Sequence, residues 1–227
     1  MPPRPKARLD DIVESATRIF GEKGYRRTLI TDVATDLGIA PGTIYTYVES
    51  KDALFHLVIE RAAGDTTVPA SLPIPSPDPA ETMKYSVNAL GRSSKLAELN
   101  AALDREKADD IAQELEAIVR ELYGSIARGR KLIGLIERSA VDLPELRAGF
   151  YLKGRRGFLK KIETYLTRRI DNGQLRAVPD TAATTRFVVE SISWFANHRH
   201  GDQDSSNVTD ESAEQVCVDM LVHGLLP

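Results

Sequence analysis

Hydroxyl side chains are concentrated between positions 43 and 47 of the chain, directly after Gly42. Thr43, Tyr45, Thr46 and Tyr47 provide four hydroxyls within five residues. A threonine hydroxyl can hydrogen-bond to a base edge or a phosphate, its methyl group can contact a thymine methyl, and a tyrosine hydroxyl can contact a phosphate oxygen. This stretch therefore suits contact with duplex DNA. It contains no arginine or lysine, so bidentate contact with guanine is not expected from it.

The surrounding sequence predicts two short helices joined by a tight turn. Thr28 can cap the first helix, and Gly38 stands where that helix must end, because glycine readily adopts the left-handed conformation. Pro41 suits the first position of the second helix, from which Ile44 and Val48 point inward. The apolar positions of the first helix are Ile30, Val33, Ala34 and Leu37. This arrangement is typical of a helix-turn-helix, whose second helix lies in the major groove.

The run from Leu9 to about Arg61 resembles the DNA-binding domain of the tetracycline-repressor (TetR) family, over roughly a quarter of the chain. The matching positions are Phe20, Gly24-Tyr25, Thr28, Val33-Ala34, Gly38-Ile39, Gly42-Thr43-Ile44-Tyr45, Tyr47-Val48 and Ser50-Lys51-Asp52-Ala53-Leu54. The resemblance implies that eight side chains or backbones face DNA: Thr28, Thr31, Gly42, Thr43, Tyr45, Thr46, Tyr47 and Lys51. Position 31 is often longer or basic in this family, so the short Thr31 implies contact with fewer bases.

Helical periodicity runs through most of the remaining sequence, and no window alternates as a strand would. The sequence therefore predicts an all-α protein with an N-terminal three-helix helix-turn-helix DNA-binding domain and a larger helical ligand-binding and dimerisation domain. Five prolines between positions 69 and 79 interrupt the pattern. We place the DNA-binding domain with its N-terminal arm at residues 1–63, a proline-rich connector at 64–80 and the larger domain at 81–227. A proline-rich ligand for another protein's groove is the alternative for the connector.

Charge is distributed unevenly along the chain, although the net charge is only −3. Residues 1–27 carry seven basic and four acidic residues, whereas residues 64–227 carry 21 basic and 24 acidic residues. Arg4, Lys6 and Arg8 form a basic N-terminal arm that suits either the minor groove or non-specific attraction to DNA. The N-terminal part is therefore the part that favours a polyanionic partner.

The resemblance implies that the larger domain binds a small effector and forms a homodimer through two C-terminal helices, here about 180–200 and 209–225. Such a dimer places its two recognition helices across a palindromic operator, and an effector releases it. Candidate effector contacts are Phe55, His56, Tyr123, Phe150 and Trp194. Candidate dimer contacts are Phe187, Ser191, Phe195, Val216, Cys217, Met220 and Leu221.

Other classes of function find less support in the sequence. The single cysteine, Cys217, excludes an internal disulfide, and His198 and His200 lack the further ligands of a metal site. No cofactor motif, catalytic constellation or membrane span is evident, which predicts a cytoplasmic protein without enzymatic activity. Two alternatives stay open. They are a DNA-binding architectural or interaction protein without an effector, and an all-α enzyme with an accessory helix-turn-helix.

Overall fold

Eleven α-helices account for most of the regular structure in residues 5–93 and 95–227, which are the residues that the computed structural model describes. The helices are α1 (Pro5–Lys23), α2 (Ile30–Asp36), α3 (Pro41–Ile44), α4 (Lys51–Ala62), α5 (Pro79–Ser93), α6 (Ala97–Asp104), α7 (Ile111–Ala140), α8 (Pro144–Arg147), α9 (Arg156–Asp171), α10 (Thr181–Ala196) and α11 (Asp210–Leu225). A π-helical segment, Ala148–Arg155, connects α8 to α9. Because these residues contain no strand, the predicted all-α fold is confirmed.

Sequence signals for helix ends correspond to several observed boundaries. Gly24, Gly38 and Gly173 all have positive φ angles directly after or near a helix end. The hydroxyl of Thr209 and the carboxylate of Asp180 accept backbone N–H bonds and cap α11 and α10. Helix α1 begins at Pro5, so it includes Arg8 of the predicted basic arm, which is exposed on it. Arg4 and the side chain of Lys6, the rest of the predicted arm, lie outside the described residues.

The chain divides into two compact units that differ from the boundaries expected from the sequence. The first unit contains Met1–Arg92 and Lys131–Gly154, and the second contains Ser93–Arg130 and Arg155–Pro227. The long helix α7 is the reason for the difference, because its residues 111–130 belong to the second unit and its residues 131–140 to the first. The functional division at residues 63 and 81 therefore stays a prediction.

The first unit is built around α1, which packs against α2 and α4. Its core side chains Ile12, Ala16 and Phe20 are at most 1% exposed. The C-terminal end of α1 lies against the last turns of α7, where Arg138 Nε donates to the carbonyl of Glu22 at 2.7 Å. A side chain at Gly24 would place its Cβ 2.9 Å from the Arg138 carbonyl oxygen, so this close approach requires glycine.

The core of the second unit contains an ion pair that the hydrophobic pattern does not indicate. Arg169 on α9 is fully buried, and its Nε donates to Glu114 Oε1 on α7 at 2.8 Å. The remaining guanidinium nitrogens donate to the carbonyls of Ala102 and Glu106, both at or near the end of α6. Because each donor has an acceptor, the buried charge is compensated. The pair joins α6, α7 and α9, while α10 packs against α9 and α11.

Candidate nucleic-acid interface

Helices α2 and α3 form a helix-turn-helix whose turn is closed by backbone hydrogen bonds. Gly38 N–H donates to the carbonyl of Thr35 at 3.1 Å, and Ile39 N–H donates to that of Ala34 at 2.9 Å. Gly38 has a φ of 63°, which confirms the left-handed turn predicted at this position. Pro41 occupies the first turn of α3, also as predicted. The turn therefore holds α3 in a defined position against α2.

The start of α2 is capped differently from the prediction. Leu29, not Thr28, is the N-cap residue, and Asp32 Oδ2 accepts the Leu29 N–H at 2.8 Å. Asp32 also lies 3.1 Å from the ammonium of Lys23. The hydrogen bond from Leu29, together with Lys23, lowers the pKa of Asp32 below its ordinary value. The carboxylate thus caps α2 and ties it to the end of α1.

Residues 41–47, which we call the recognition segment, consist of the single turn of α3 and a continuing turn. The N–H of Thr46 donates to Thr43 O at 3.2 Å, and that of Tyr47 donates to Ile44 O at 2.9 Å. Ile44 and Val48 are fully buried, as predicted, which fixes the opposite side of the segment as its outer surface. The predicted DNA contacts Gly42, Tyr45 and Thr46 are exposed there, and Thr43 is partly exposed. Thr31 on α2 is exposed as well.

Tyr47 lies mostly within the core of the first unit and is only 8% exposed. Tyr45, its neighbour two residues earlier, is 49% exposed. Little of the Tyr47 side chain is therefore available for contact with DNA. Tyr45 is the better placed of the two for phosphate contact.

Thr28 and Lys51 do not present their functional groups in the way that the resemblance implies. Thr28 is 1% exposed, and its hydroxyl donates to the carbonyl of Gly24 at 2.8 Å. The Lys51 ammonium donates to the carbonyls of Tyr25 at 3.0 Å and Thr28 at 3.1 Å, with Arg26 O at 3.5 Å. These contacts occupy the three donors of the ammonium. The structure corrects the expected role of both residues, which stabilise the turn between α1 and α2.

Tyr25 completes this corner of the first unit. The Lys51 ammonium lies 4.4 Å from the centre of the Tyr25 ring, and the Tyr25 hydroxyl donates to Asp52. Phe20 and Phe55 pack against the same ring with centroid distances of 6.3 and 5.0 Å. Burial, together with the Asp52 carboxylate, raises the pKa of Tyr25. These contacts attach the start of α4 to the turn between α1 and α2.

Three of the predicted effector contacts belong to the first unit and have structural neighbours there. Phe55 is 3% exposed and packs edge-on against Phe20, so the structure places it in the core rather than at a cavity. His56 Nδ1 lies 2.9 Å from Thr82 Oγ1, and its Nε2 lies 3.3 Å from Glu60 Oε1. Phe150 is partly buried against the core of the first unit. Phe55 and His56 thus contact other side chains of the first unit, and their positions do not support the predicted contact with an effector.

The other two predicted effector contacts belong to the second unit. Tyr123 on α7 is 2% exposed, and its hydroxyl donates to the carbonyl of Asp210 at 3.2 Å. Burial raises the pKa of this tyrosine. Trp194 on α10 is 39% exposed, which makes it a surface residue of the unit. The structure therefore gives Tyr123 a core role and Trp194 a surface position.

The predicted dimer residues divide between the surface and the core of the second unit. Phe187, Val216 and Met220 are 66%, 45% and 67% exposed, respectively. Ser191 and Phe195 are partly buried, and Cys217 and Leu221 lie in the core of their own unit. The last two cannot contact a partner through their side chains, because the adjacent stripe of α11 faces outward. Burial, with a smaller contribution from Glu214, raises the pKa of Cys217 to about 11.

The sequence analysis did not anticipate the polar network between α10 and α11. Arg199 is 4% exposed and donates to the carbonyls of Phe195 and Val208 and to the carboxylate of Asp210. Burial alone would raise the pKa of Asp210, but Arg130 and Arg199 lower it. Arg199, Val208 and Asp210 line part of an open cleft of about 420 Å³. Among the described residues, no group of His, Cys, Asp or Glu is arranged to hold a metal ion.

Comparison with known proteins agrees with the helix-turn-helix geometry. Residues 12–58, which include α2, α3 and most of α1 and α4, match the profile of the family described as "Bacterial regulatory proteins, tetR family". Residues 12–58 therefore form a DNA-binding domain of the TetR type. The chain contains no helix, within its described residues, that could cross a membrane.

Two curated relatives match the N-terminal part of the chain. It is 33% identical over 61 residues to the uncharacterized HTH-type transcriptional regulator YvdT of Bacillus subtilis, in an alignment that covers 27% of this chain and 31% of YvdT. It is 29% identical over 58 residues to the HTH-type transcriptional repressor KstR2 of Mycolicibacterium smegmatis, covering 26% and 28% of the two chains. The matched stretch thus spans less than a third of either relative.

The fold of the whole chain is also found in solved structures. The ketosteroid transcriptional regulator KstR2 of Mycobacterium tuberculosis has a TM-score of 0.55 and 16% sequence identity, over 99% of this chain and 97% of that one. A likeness at this level of identity concerns the fold alone. The described residues therefore share the helical fold of that regulator.

Proposed function

We propose that the protein is a homodimeric repressor that binds palindromic operator DNA through the recognition segment and is released by a small, largely apolar effector. One observation carries the DNA-binding part of the proposal. Gly42, Tyr45 and Thr46 are exposed on a segment whose Ile44 is fully buried, so these three residues lie on the outer side of a fixed scaffold. Polar groups on such a segment suit a major groove.

The proposed DNA contacts are Thr31, Gly42, Thr43, Tyr45 and Thr46, with Tyr47 contributing only its small exposed part. The threonines contact base edges or thymine methyls, and Tyr45 contacts a phosphate. Arg26 and Arg27, both exposed on the turn before α2, supply charge for the phosphate backbone. Thr28 and Lys51 contribute indirectly, because their hydrogen bonds stabilise the turn between α1 and α2.

The homodimer forms through the outer faces of α10 and α11. Phe187, Trp194, Val216 and Met220 are large apolar side chains on these two helices and are each at least 39% exposed. Apolar side chains clustered on the surface are typical of protein interfaces. A second copy of the chain is the proposed occupant, because a two-fold dimer presents two recognition segments roughly 34–36 Å apart, or at a multiple of this spacing.

Release by an effector is the third part of the proposal. It rests on the extent of the helical chain beyond the DNA-binding part, which is larger than dimerisation requires. The open cleft between α10 and α11 is lined by polar and charged residues such as Arg199, His200 and Asp210, so it does not suit an apolar molecule. The relative named as a ketosteroid regulator suggests a ketosteroid as a first probe. A bound effector raises the melting temperature and lowers the DNA affinity.

Selection of bound sequences from a random duplex pool at physiological salt tests the proposed function. We expect recovery of a palindrome whose half-sites are about one or one and a half turns apart. Binding that recovers no consensus and depends only on ionic strength would contradict sequence-specific regulation. Recovery of a palindrome by a protein that no small molecule releases would favour an architectural protein without an effector.

A further inference from the structure

The proline-rich stretch between α4 and α5 is attached to the end of the recognition segment. Ile74 N–H donates to the carbonyl of Tyr47 at 2.8 Å, and Glu49 N–H donates to the carbonyl of Ile74 at 3.0 Å. These two bonds pair Val48 with Ile74 as a single parallel β-bridge. Pro73 and Pro75 flank Ile74 and have no backbone N–H. Ile74 is therefore the residue at which the backbone of this stretch pairs with the backbone at the end of the recognition segment.

Ser76 makes a second attachment, to the junction between the recognition segment and α4. Its N–H donates to Glu49 Oε2 at 3.0 Å, and its hydroxyl donates to Ser50 Oγ at 2.7 Å. Ser50 is the N-cap of α4, since its Oγ accepts the N–H of Ala53 at 3.1 Å. Together, Ile74 and Ser76 contact each residue from Tyr47 to Ser50 through main-chain or side-chain groups.

The start of the stretch is anchored as well. Arg61 on α4 donates to the carbonyls of Asp65 at 2.6 Å and Thr67 at 2.9 Å. The Asp65 carboxylate accepts from the N–H and hydroxyl of Thr67 and from the hydroxyl of Tyr85 on α5. These contacts, with burial opposing them, lower the pKa of Asp65. Residues 65–76, which we call the proline segment, are thus held at both ends on the first unit.

We propose that the proline segment is a positioning element for DNA recognition, with Ile74 as its key positioning residue. The inference rests on the proposed function. The Ile74 N–H holds the peptide group of Tyr47, which is the last residue of the recognition segment. A shift of this peptide would move Tyr47 and the turn that presents Tyr45 and Thr46 to DNA. Because Ile74 is partly buried against the core of the first unit, the segment has a fixed base from which to position the turn.

The variant Ile74→Pro removes the N–H that donates to Tyr47 and leaves the carbonyl that accepts from Glu49. Ala70→Pro is the matched control, since Ala70 is exposed in the middle of the proline segment and also follows a proline. Both variants are compared with the wild type for affinity to the selected palindromic duplex, affinity to a random-sequence duplex of equal length, and melting temperature. All affinities are measured at one salt concentration and at a temperature where each variant is folded.

We expect Ile74→Pro to weaken binding to the palindrome about tenfold, while binding to the random duplex stays within about twofold. Ala70→Pro should leave both affinities unchanged. A merely structural proline segment predicts a lower melting temperature with unchanged discrimination between the two duplexes, and that result would overturn the proposal. If Ile74→Pro does not fold, Ser76→Ala replaces it, with an expected loss of about threefold in the same direction.

The two proposals fail in distinguishable ways. A wild-type protein that selects no palindrome contradicts the proposed function itself. A wild-type protein that selects one, combined with an Ile74→Pro variant that discriminates between duplexes equally well, contradicts only the role of the proline segment. Hydrogen exchange adds a direct readout, because the amide of Glu49 should exchange faster in Ile74→Pro than in Ala70→Pro.

Discussion

The Lys51 ammonium donates a hydrogen bond to the main-chain carbonyl of Thr28 at 3.1 Å, so two residues expected at the DNA surface instead contact each other. The same ammonium bonds to the carbonyl of Tyr25 and lies over its ring. A cation at this position therefore fixes the turn between α1 and α2 with respect to α4. Two sets of contacts thus stabilise the surroundings of the recognition segment. Lys51 contacts the turn between α1 and α2, and the proline segment contacts Tyr47 at the end of the recognition segment.

Substitution of Lys51 distinguishes a role in the stability of the fold from a role in binding phosphate. Lys51→Met should lower the free energy of unfolding by about 1–3 kcal/mol, because a charged donor is lost from three carbonyls. The dependence of DNA affinity on salt concentration should keep its slope. Urea unfolding and salt titration of binding measure the two effects. Lys84→Met, at an exposed position of α5, is the control and should change stability by less than about 0.5 kcal/mol.

The contrary outcome for Lys51 is equally measurable. A direct phosphate contact predicts a slope of log K against log salt that is smaller by about 1 in Lys51→Met, with stability close to that of the wild type. That pair of results would return Lys51 to the set of DNA contacts.

Capping of α2 by Asp32 predicts a dependence of stability on pH. Since the pKa of Asp32 is lowered in the folded protein, its carboxylate stabilises the fold above its unfolded pKa of about 4, and this contribution is lost as the pH falls through the folded pKa. Asp32→Ala should thus cost about 1 kcal/mol at pH 7 and progressively less below pH 4. Denaturant unfolding at several pH values, with the exposed Asp10→Ala as control, measures this. A deficit that is constant with pH would contradict the assignment.

The apolar surface of α10 and α11 predicts the oligomeric state of the protein. Phe187→Glu combined with Met220→Glu should convert the dimer to a monomer, because both side chains are about two-thirds exposed in the single chain and would carry charge into the interface. Sedimentation velocity at micromolar concentration detects the change. Val141→Glu, at a 72% exposed position of the first unit, should leave the dimer intact. If the double variant sediments like the wild type, the interface lies elsewhere.

Local sequence signals were sufficient for the helix-turn-helix. Gly38 has the positive φ that ends α2, Pro41 lies in the first turn of α3, and Ile44 and Val48 are fully buried. Each of these features depends on residues within one or two turns of each other. For this reason, the pattern of residue types alone was enough to predict the turn and its buried side, although it did not indicate that Tyr47 packs into the core.

Features that depend on residues far apart in sequence could not be predicted in this way. The Ile74–Tyr47 pairing joins residues on either side of α4, and Arg169 and Glu114 are 55 positions apart. On α11 the apolar pairs Val216/Met220 and Cys217/Leu221 have the same spacing, so periodicity cannot decide which stripe faces the core. The packing of α11 against α10 decides it in favour of Cys217 and Leu221.

The central claim is that the recognition segment contacts DNA, and Gly42→Glu tests it most directly. A Cβ at Gly42 meets no atom within 4 Å, and a carboxylate in the first turn of a helix is favourable, so the variant should fold with an unchanged or higher melting temperature. Gly21→Glu adds the same charge at an exposed, equally open position of α1.

The measurement is the equilibrium affinity of both variants for the selected palindrome at physiological salt. We expect Gly42→Glu to bind at least about a hundredfold more weakly than Gly21→Glu, through repulsion of phosphates and loss of close approach. Equal affinities of the two variants would contradict the claim.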